Sequence, residues 1–276
     1  MHRLTYPGRD GCPLAAFTTS ATPVPDLPVV VFLHGGGPDH RSLIPLARRL
    51  AGDAVVVLPD VRGYGRSVCV DPARHTWSQY AEDVVSLLDH LRVPRAVVAG
   101  AGLGATVGLR CAVAYPERIA GLCLIGVEDI EDDAGKLAEI AFMDAFADRM
   151  RTQGVSAAWE PILGDLSPVI GAMVREAMFD ADPRSLVAAA AIGHDRAFPD
   201  VDELLTIQAP VLIFAGDDWR HPTALAQQLA RRLPDGRLGT AAMSGTLQTT
   251  ADFARAFAPE IAAFLRTLAV PASAGR

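Results

Sequence analysis

Lysine is almost missing from this chain: Lys136 is the only one, and the rest of the basic charge is arginine. A bias of genome composition explains that more cheaply than chemistry does, and it excludes a Schiff-base lysine at every other position. Cysteine is also scarce. Cys12, Cys69, Cys111 and Cys123 have neither metal-ligand spacing nor a dense disulfide pattern. Cys111 and Cys123 stand in apolar runs, which predicts small buried hydrophobes. No stretch is long and apolar enough to span a bilayer, and residues 1–11 form no apolar signal region. A soluble, cytoplasmic protein without a membrane partner is the expectation. Nor is there clustered basic charge: the net charge is −7, which argues against a nucleic-acid partner.

What is present is apolar material. Half of the 276 residues are hydrophobic, enough for one large α/β domain or a core with a modest insertion. After two short strands and a proline-rich bridge at 23–28, the run Val29 to Leu33 is short, β-branched and bounded by turn residues, as a strand buried on both faces should be. Further strands are predicted at 54–58, 96–99, 122–127, 210–216 and 238–243, alternating with helices at 43–50, 78–91, 103–114, 223–233 and 252–268. That alternation predicts a mostly parallel, doubly wound sheet. Between Glu128 and Glu203 only helical segments occur, at 134–153, 156–163, 168–179 and 183–194. The expected organisation is a core of residues 1–127 and 204–276 with a helical cap of residues 128–203 inserted into it.

Four motifs fall in order along this pattern. His34-Gly35-Gly36-Gly37 follows the first core strand, and Asp60-x-Arg62-Gly63-x-Gly65-x-Ser67 follows the next. Gly100-x-Gly102-x-Gly104 stands at a strand-to-helix turn, and Tyr115-Pro116-Glu117-Arg118 closes that unit. Together they resemble the capped α/β-hydrolases of the proline iminopeptidase and epoxide hydrolase branches. The resemblance covers nearly the whole chain and implies the α/β-hydrolase fold with an inserted cap. It also implies an oxyanion hole from the amides of Gly36 and Leu103, a nucleophile at position 102, an acid just past Gly216 and a histidine after the last strand.

The chain departs from the family at its chemistry. Position 102 is glycine, which offers no nucleophile, Thr246 takes the place of the histidine, and no histidine follows His221. Gly102 has two readings: it relieves positive-φ strain, or its missing side chain leaves room for substrate. Asp60 and Arg62 are expected to hold their loop together. Glu128 and Asp218 end strands that point at the family's pocket and are the candidate acid–base carboxylates. Asp129 to Asp133 read as a solvated helix start. His34 is a third catalytic candidate, although shaping its own loop is the plainer reading. His40 and His194 are placed near the mouth and the cap, able to reach down if the cap closes. Trp219 is a core filler or a wall of the ligand pocket. Gly100-x-Gly102-x-x-Ala105 also matches a dinucleotide fingerprint, but that motif opens the first βαβ unit of its domain and here two strands precede it.

The expectation is an enzyme that binds a small, largely apolar molecule and uses neither cofactor nor metal. Lyase, isomerase, cyclase or decarboxylase chemistry would proceed through an oxyanion hole and a proton-moving carboxylate or histidine. A hydrolase activating water directly and a non-catalytic receptor are the alternatives. A homodimer is left open. Esterase activity is not expected, and Gly102→Ser alone is not expected to restore it, for want of a base near Thr246.

Overall fold

The computed structural model describes residues 1–268 apart from 22, 23 and 25, so part of the proline-rich bridge lies outside the described residues. The strands are β1 (His2–Pro7), β2 (Pro13–Thr18), β3 (Val29–Leu33), β4 (Val55–Pro59), β5 (Ala96–Ala101), β6 (Ile119–Ile125), β7 (Val211–Gly216) and β8 (Gly236–Met243). They form one eight-stranded sheet in the order β1-β2-β4-β3-β5-β6-β7-β8. The β1–β2 and β2–β4 pairs are antiparallel, and every pair from β4 to β8 is parallel. The central strands are buried on both faces because helices cover both. These are α1 (Ile44–Leu50), α2 (Trp77–His90), α3 (Leu103–Ala114), α8 (Thr223–Arg232) and α9 (Thr250–Leu268). Two apolar clusters divide between the faces, one gathering α2, α3 and α8, the other α1 and α9.

These elements lie within a few residues of the positions expected from the sequence. β6 starts at Ile119 rather than 122, because Ile119 still pairs with Ala96 before the register shifts. The last predicted cap helix is α-helical only over 183–189 and tightens into a 3₁₀ turn at Ala190–His194. Cys111 and Cys123 are fully buried, and all four cysteines are free thiols.

Between β6 and β7 lie α4 (Asp133–Gln153), α5 (Val155–Leu163), α6 (Pro168–Met178) and α7 (Pro183–Ala189). An isolated parallel bridge, Ile130 to Phe198, brings the entry and exit of this segment together. The helices rest on the two glycine-rich loops of the core. A Cβ on Gly37 would stand 2.4 Å from the Trp159 ring, and the Ser185 hydroxyl donates to the Gly63 carbonyl at 2.9 Å. Gly100 and Gly104 at the end of β5 are explained by packing alone. A Cβ on Gly100 would meet Gly104 at 2.2 Å, and one on Gly104 would meet the Leu33 carbonyl at 2.5 Å, so α3 can seat on the sheet only with both glycines. The dinucleotide reading is not needed.

Candidate active site

The motif Asp60 to Ser67 is built as a brace. Arg62 is fully buried and makes paired hydrogen bonds to Asp83 (2.8 and 2.7 Å) and to Asp10 (2.8 and 2.9 Å). Asp60 accepts from the His40 amide and ring and from the Arg66 amide. These residues hold their loop, as expected.

At the end of β5 the backbone turns sharply at Gly102, with φ 52° and ψ −124°, and α3 begins at Leu103. A Cβ on Gly102 would stand 3.1 Å from Glu128 Oε1 and 3.2 Å from His221 Nε2. The place where a nucleophile's side chain would begin is therefore already crowded by a carboxylate and an imidazole. This joins the two readings of Gly102: glycine tolerates the positive φ, and its missing side chain makes room for two ionisable heads.

His221 was not a candidate from the sequence. It comes from the loop after β7, where Asp218 accepts from both the His221 amide (3.0 Å) and ring Nδ1 (2.8 Å). With Nδ1–H donating to Asp218, Nε2 is left as the basic nitrogen facing Gly102. Burial works to raise the Asp218 carboxyl, but the hydrogen bonds and charge of His221 outweigh it and hold it below its ordinary value. Asp218 is thus a partner of His221 and does not itself line the cavity, which corrects its expected direct role.

Glu128 does line the cavity. Its carbonyl is fixed by the Thr106 hydroxyl at 2.7 Å, and its Oε2 accepts from Arg220 Nε at 2.9 Å. Arg220 also forks onto Glu139 of α4 (3.0 and 3.1 Å) and lies 3.5 Å from Asp129. Burial opposes its charge, yet Glu128, Asp129 and Glu139 together hold the guanidinium firmly protonated. Asp129 is not part of a solvated helix start. It faces the cavity with φ 60°, and burial, then the neighbouring Glu128 charge, push its carboxyl well up. Asp132 does cap α4, and Asp133 is exposed.

The remaining candidates separate cleanly. Gly36, Gly102 and Leu103 line the cavity, and among the described residues neither the Gly36 nor the Leu103 amide donates to a protein acceptor. His34 is no catalytic candidate in this geometry: Nδ1 meets the Gly35 carbonyl at 2.8 Å and Nε2 accepts from the Val61 amide at 3.0 Å, so backbone occupies both nitrogens. His40 is stacked on Phe17 and tied to Asp60, away from the cavity. His194 pairs with Asp144 on the surface, and Thr246 is exposed and bonded to Ser244. Trp219 is 55% exposed, packed edge-on against Phe142 and under Arg220, so it backs Arg220 instead of walling the cavity.

The cavity holds about 1150 Å³ of empty space, counting its open mouth. Phe142, Phe146, Met143, Trp159 and Met173 from α4, α5 and α6 form its apolar side, to which Lys136 and Glu139 of the same α4 add charge. His221 was missed because it belongs to a different loop from the one the family pattern pointed to. The spacing Asp218-x-x-His221 directly after a strand was the one available signal. Arg220 with Glu139 had none, since the two stand 81 residues apart.

An eight-stranded, mostly parallel sheet with this turn over α3 defines the α/β-hydrolase class. The model of the alpha/beta hydrolase family matches residues 30–259, and the chain belongs to that family. Among its relatives is a protein given the name carbamate hydrolase RutD in Caulobacter sp. (strain K31), 28% identical over 244 residues, which cover 77% of this chain and 87% of that one. Another is the 3-oxoadipate enol-lactonase 2 of Acinetobacter baylyi, 31% identical over 58% of this chain and 60% of its own. Of solved structures, an esterase from Thermogutta terrifontis superposes with a TM-score of 0.80 at 22% identity, covering 98% of this chain and 100% of that one. The bottromycin epimerase BotH superposes with a TM-score of 0.68 at 23% identity, covering 98% of both chains. At such identities the two structures speak for the fold. Among the described residues no helix is long and apolar enough to cross a membrane.

Proposed function

We propose that this α/β-hydrolase-fold protein is an enzyme that moves a proton on a small, largely apolar carbonyl compound without forming a covalent intermediate. One observation carries the reading: His221 Nε2 and Glu128 Oε1 converge within 3.2 and 3.1 Å of the point where the nucleophile's Cβ would stand. His221, oriented by Asp218, is the base that takes a proton from the carbon beside the carbonyl. The free amides of Gly36 and Leu103 receive the developing enolate oxygen, helped by the N-terminus of α3. Glu128, fixed by Arg220, is the second group within reach of the travelling proton. The aromatic and methionine wall takes the apolar body of the substrate. Isomerisation or elimination fits these parts.

A second reading is hydrolysis by water activated at His221, favoured by the names of the two hydrolytic relatives. One experiment separates them. Apolar ketones, saturated lactones and carbamates are screened with the protein in D₂O and in ¹⁸O-water. Proton transfer places deuterium on carbon, and His221→Asn abolishes it. Incorporation of ¹⁸O into an acid product without carbon exchange would favour hydrolysis. Ligands that bind and are never turned over would sink the enzyme reading and leave a receptor.

A further inference from the structure

The brace of Asp60 and Arg62 does not account for Tyr64. Gly63 and Gly65 flank it with φ of 91° and 51°, the Tyr64 amide donates to Val61 O at 2.9 Å, and the Gly63 amide donates to Ser67 O at 2.8 Å. Asp60 and Arg62 fix the loop just before it, and Tyr64 lines the cavity. Its ring packs edge-on to His34, with centroids 5.6 Å apart at 78°, and His34 is itself held by backbone at both nitrogens. The side chain is buried, at 7% exposure, yet among the described residues its hydroxyl has no hydrogen-bond partner. That oxygen lies 3.9 Å from where a Cβ on Gly36 would stand, beside one of the two free amides. The hydroxyl is not sealed in the core: it opens on the cavity, where water or a ligand can supply the acceptor it lacks within the protein.

We infer that the Tyr64 hydroxyl is a catalytic donor to the substrate's carbonyl oxygen, completing a three-donor site with the amides of Gly36 and Leu103. The inference deepens the acid–base reading and rests on it for the identity of the acceptor. Burial first, then the charges of Glu128 and Asp129, push the phenol well up, so it stays protonated and remains a donor at neutral pH. A carbonyl oxygen that gains charge as the adjacent carbon loses its proton would strengthen this bond in the transition state, which is what makes such a donor catalytic. The substrate class follows: a carbonyl oxygen able to bear enolate charge, attached to an apolar body that fills the aromatic side.

The test uses 4-nitrophenolate, whose oxygen imitates an enolate, and nitrobenzene, which has the same ring without that oxygen. Binding of each to wild-type protein and to Tyr64→Phe is measured by calorimetry. The expected result is at least tenfold weaker nitrophenolate binding in the variant, with nitrobenzene within twofold, which also reports that the pocket is still folded. Equal nitrophenolate affinity in both proteins would overturn the inference, as would a wild type that prefers nitrobenzene or binds neither. The measurement needs no turnover, so a failed deuterium screen would sink the acid–base reading while leaving the donor result to stand or fall separately. With a substrate in hand, Tyr64→Phe should lower kcat by ~10²–10³ and move KM little, the pattern for loss of an oxyanion donor.

Discussion

Replacing Gly102 by serine tests whether this site was rebuilt around a missing side chain. At φ 52° and ψ −124° an L-residue carries backbone strain of about 1–3 kcal/mol. The new Cβ would also meet Glu128 Oε1 at 3.1 Å and His221 Nε2 at 3.2 Å, both tighter than ordinary van der Waals contact. Neither head is free to swing away, since Arg220 holds Glu128 and Asp218 holds His221. A total loss of about 2–3 kcal/mol is expected, and with about 2–4 °C per kcal/mol in a domain of this size the melting temperature should fall by roughly 4–12 °C. Gly102→Ala should show the same loss. The chemical readout is labelling by a fluorophosphonate, followed by intact mass. Wild type should not react, and Gly102→Ser should react slowly because its hydroxyl is crowded. The double variant Gly102→Ser, Glu128→Ala opens one side of the space while keeping the His221–Asp218 pair as a base. It should label stoichiometrically, about 10²-fold faster than the single variant, and lose that reactivity when His221→Asn is added. Labelling of wild type would mean that a nucleophile stands elsewhere. A single variant as fast as the double would refute the crowding argument.

Asp218→Asn should cut turnover of any substrate found by ~10²–10⁴, because the imidazole loses the acceptor that sets its tautomer; an unchanged rate would remove His221 as the base. Arg220→Ala leaves the buried Glu128 and Glu139 without their shared counter-charge, so urea unfolding at pH 7 should report a loss of about 3–5 kcal/mol. A loss under about 1 kcal/mol would show that the cluster is solvated. His75 is buried between the Tyr80 hydroxyl and the Cys69 carbonyl, and burial lowers it to about 4. Its folded value lies below its unfolded one, so the stability it confers is present above about pH 6.5 and is lost as pH falls toward 4, by about 1.4 kcal/mol per unit in that window. His75→Asn should flatten that limb of the stability curve, and an unchanged acid limb would place the titration elsewhere.

The order of elements, the helical segment between β6 and β7 and the family were legible in the sequence, because each rests on local information. Buried strands read as short β-branched runs, helices as apolar stripes, and turns as glycine and proline at fixed offsets. That position 102 carries no side chain was equally legible, as was the place of Glu128 beside the cavity, since both follow strands whose direction the alternation sets. What the tertiary structure decided is which distant groups share the floor of the cavity. His221 enters from the loop after β7, Arg220 reaches Glu128 and Glu139 from 92 and 81 residues away, and Tyr64 lines the cavity from the loop that Arg62 ties to Asp10 and Asp83. Thr246, His34, His40, His194 and Trp219 looked as eligible in the chain, and folding turned each toward backbone, solvent or another partner. Periodicity reports which face of its own element a residue occupies. The meeting of side chains from different loops is set by how the layers pack, and a single chain read in order carries no local trace of it.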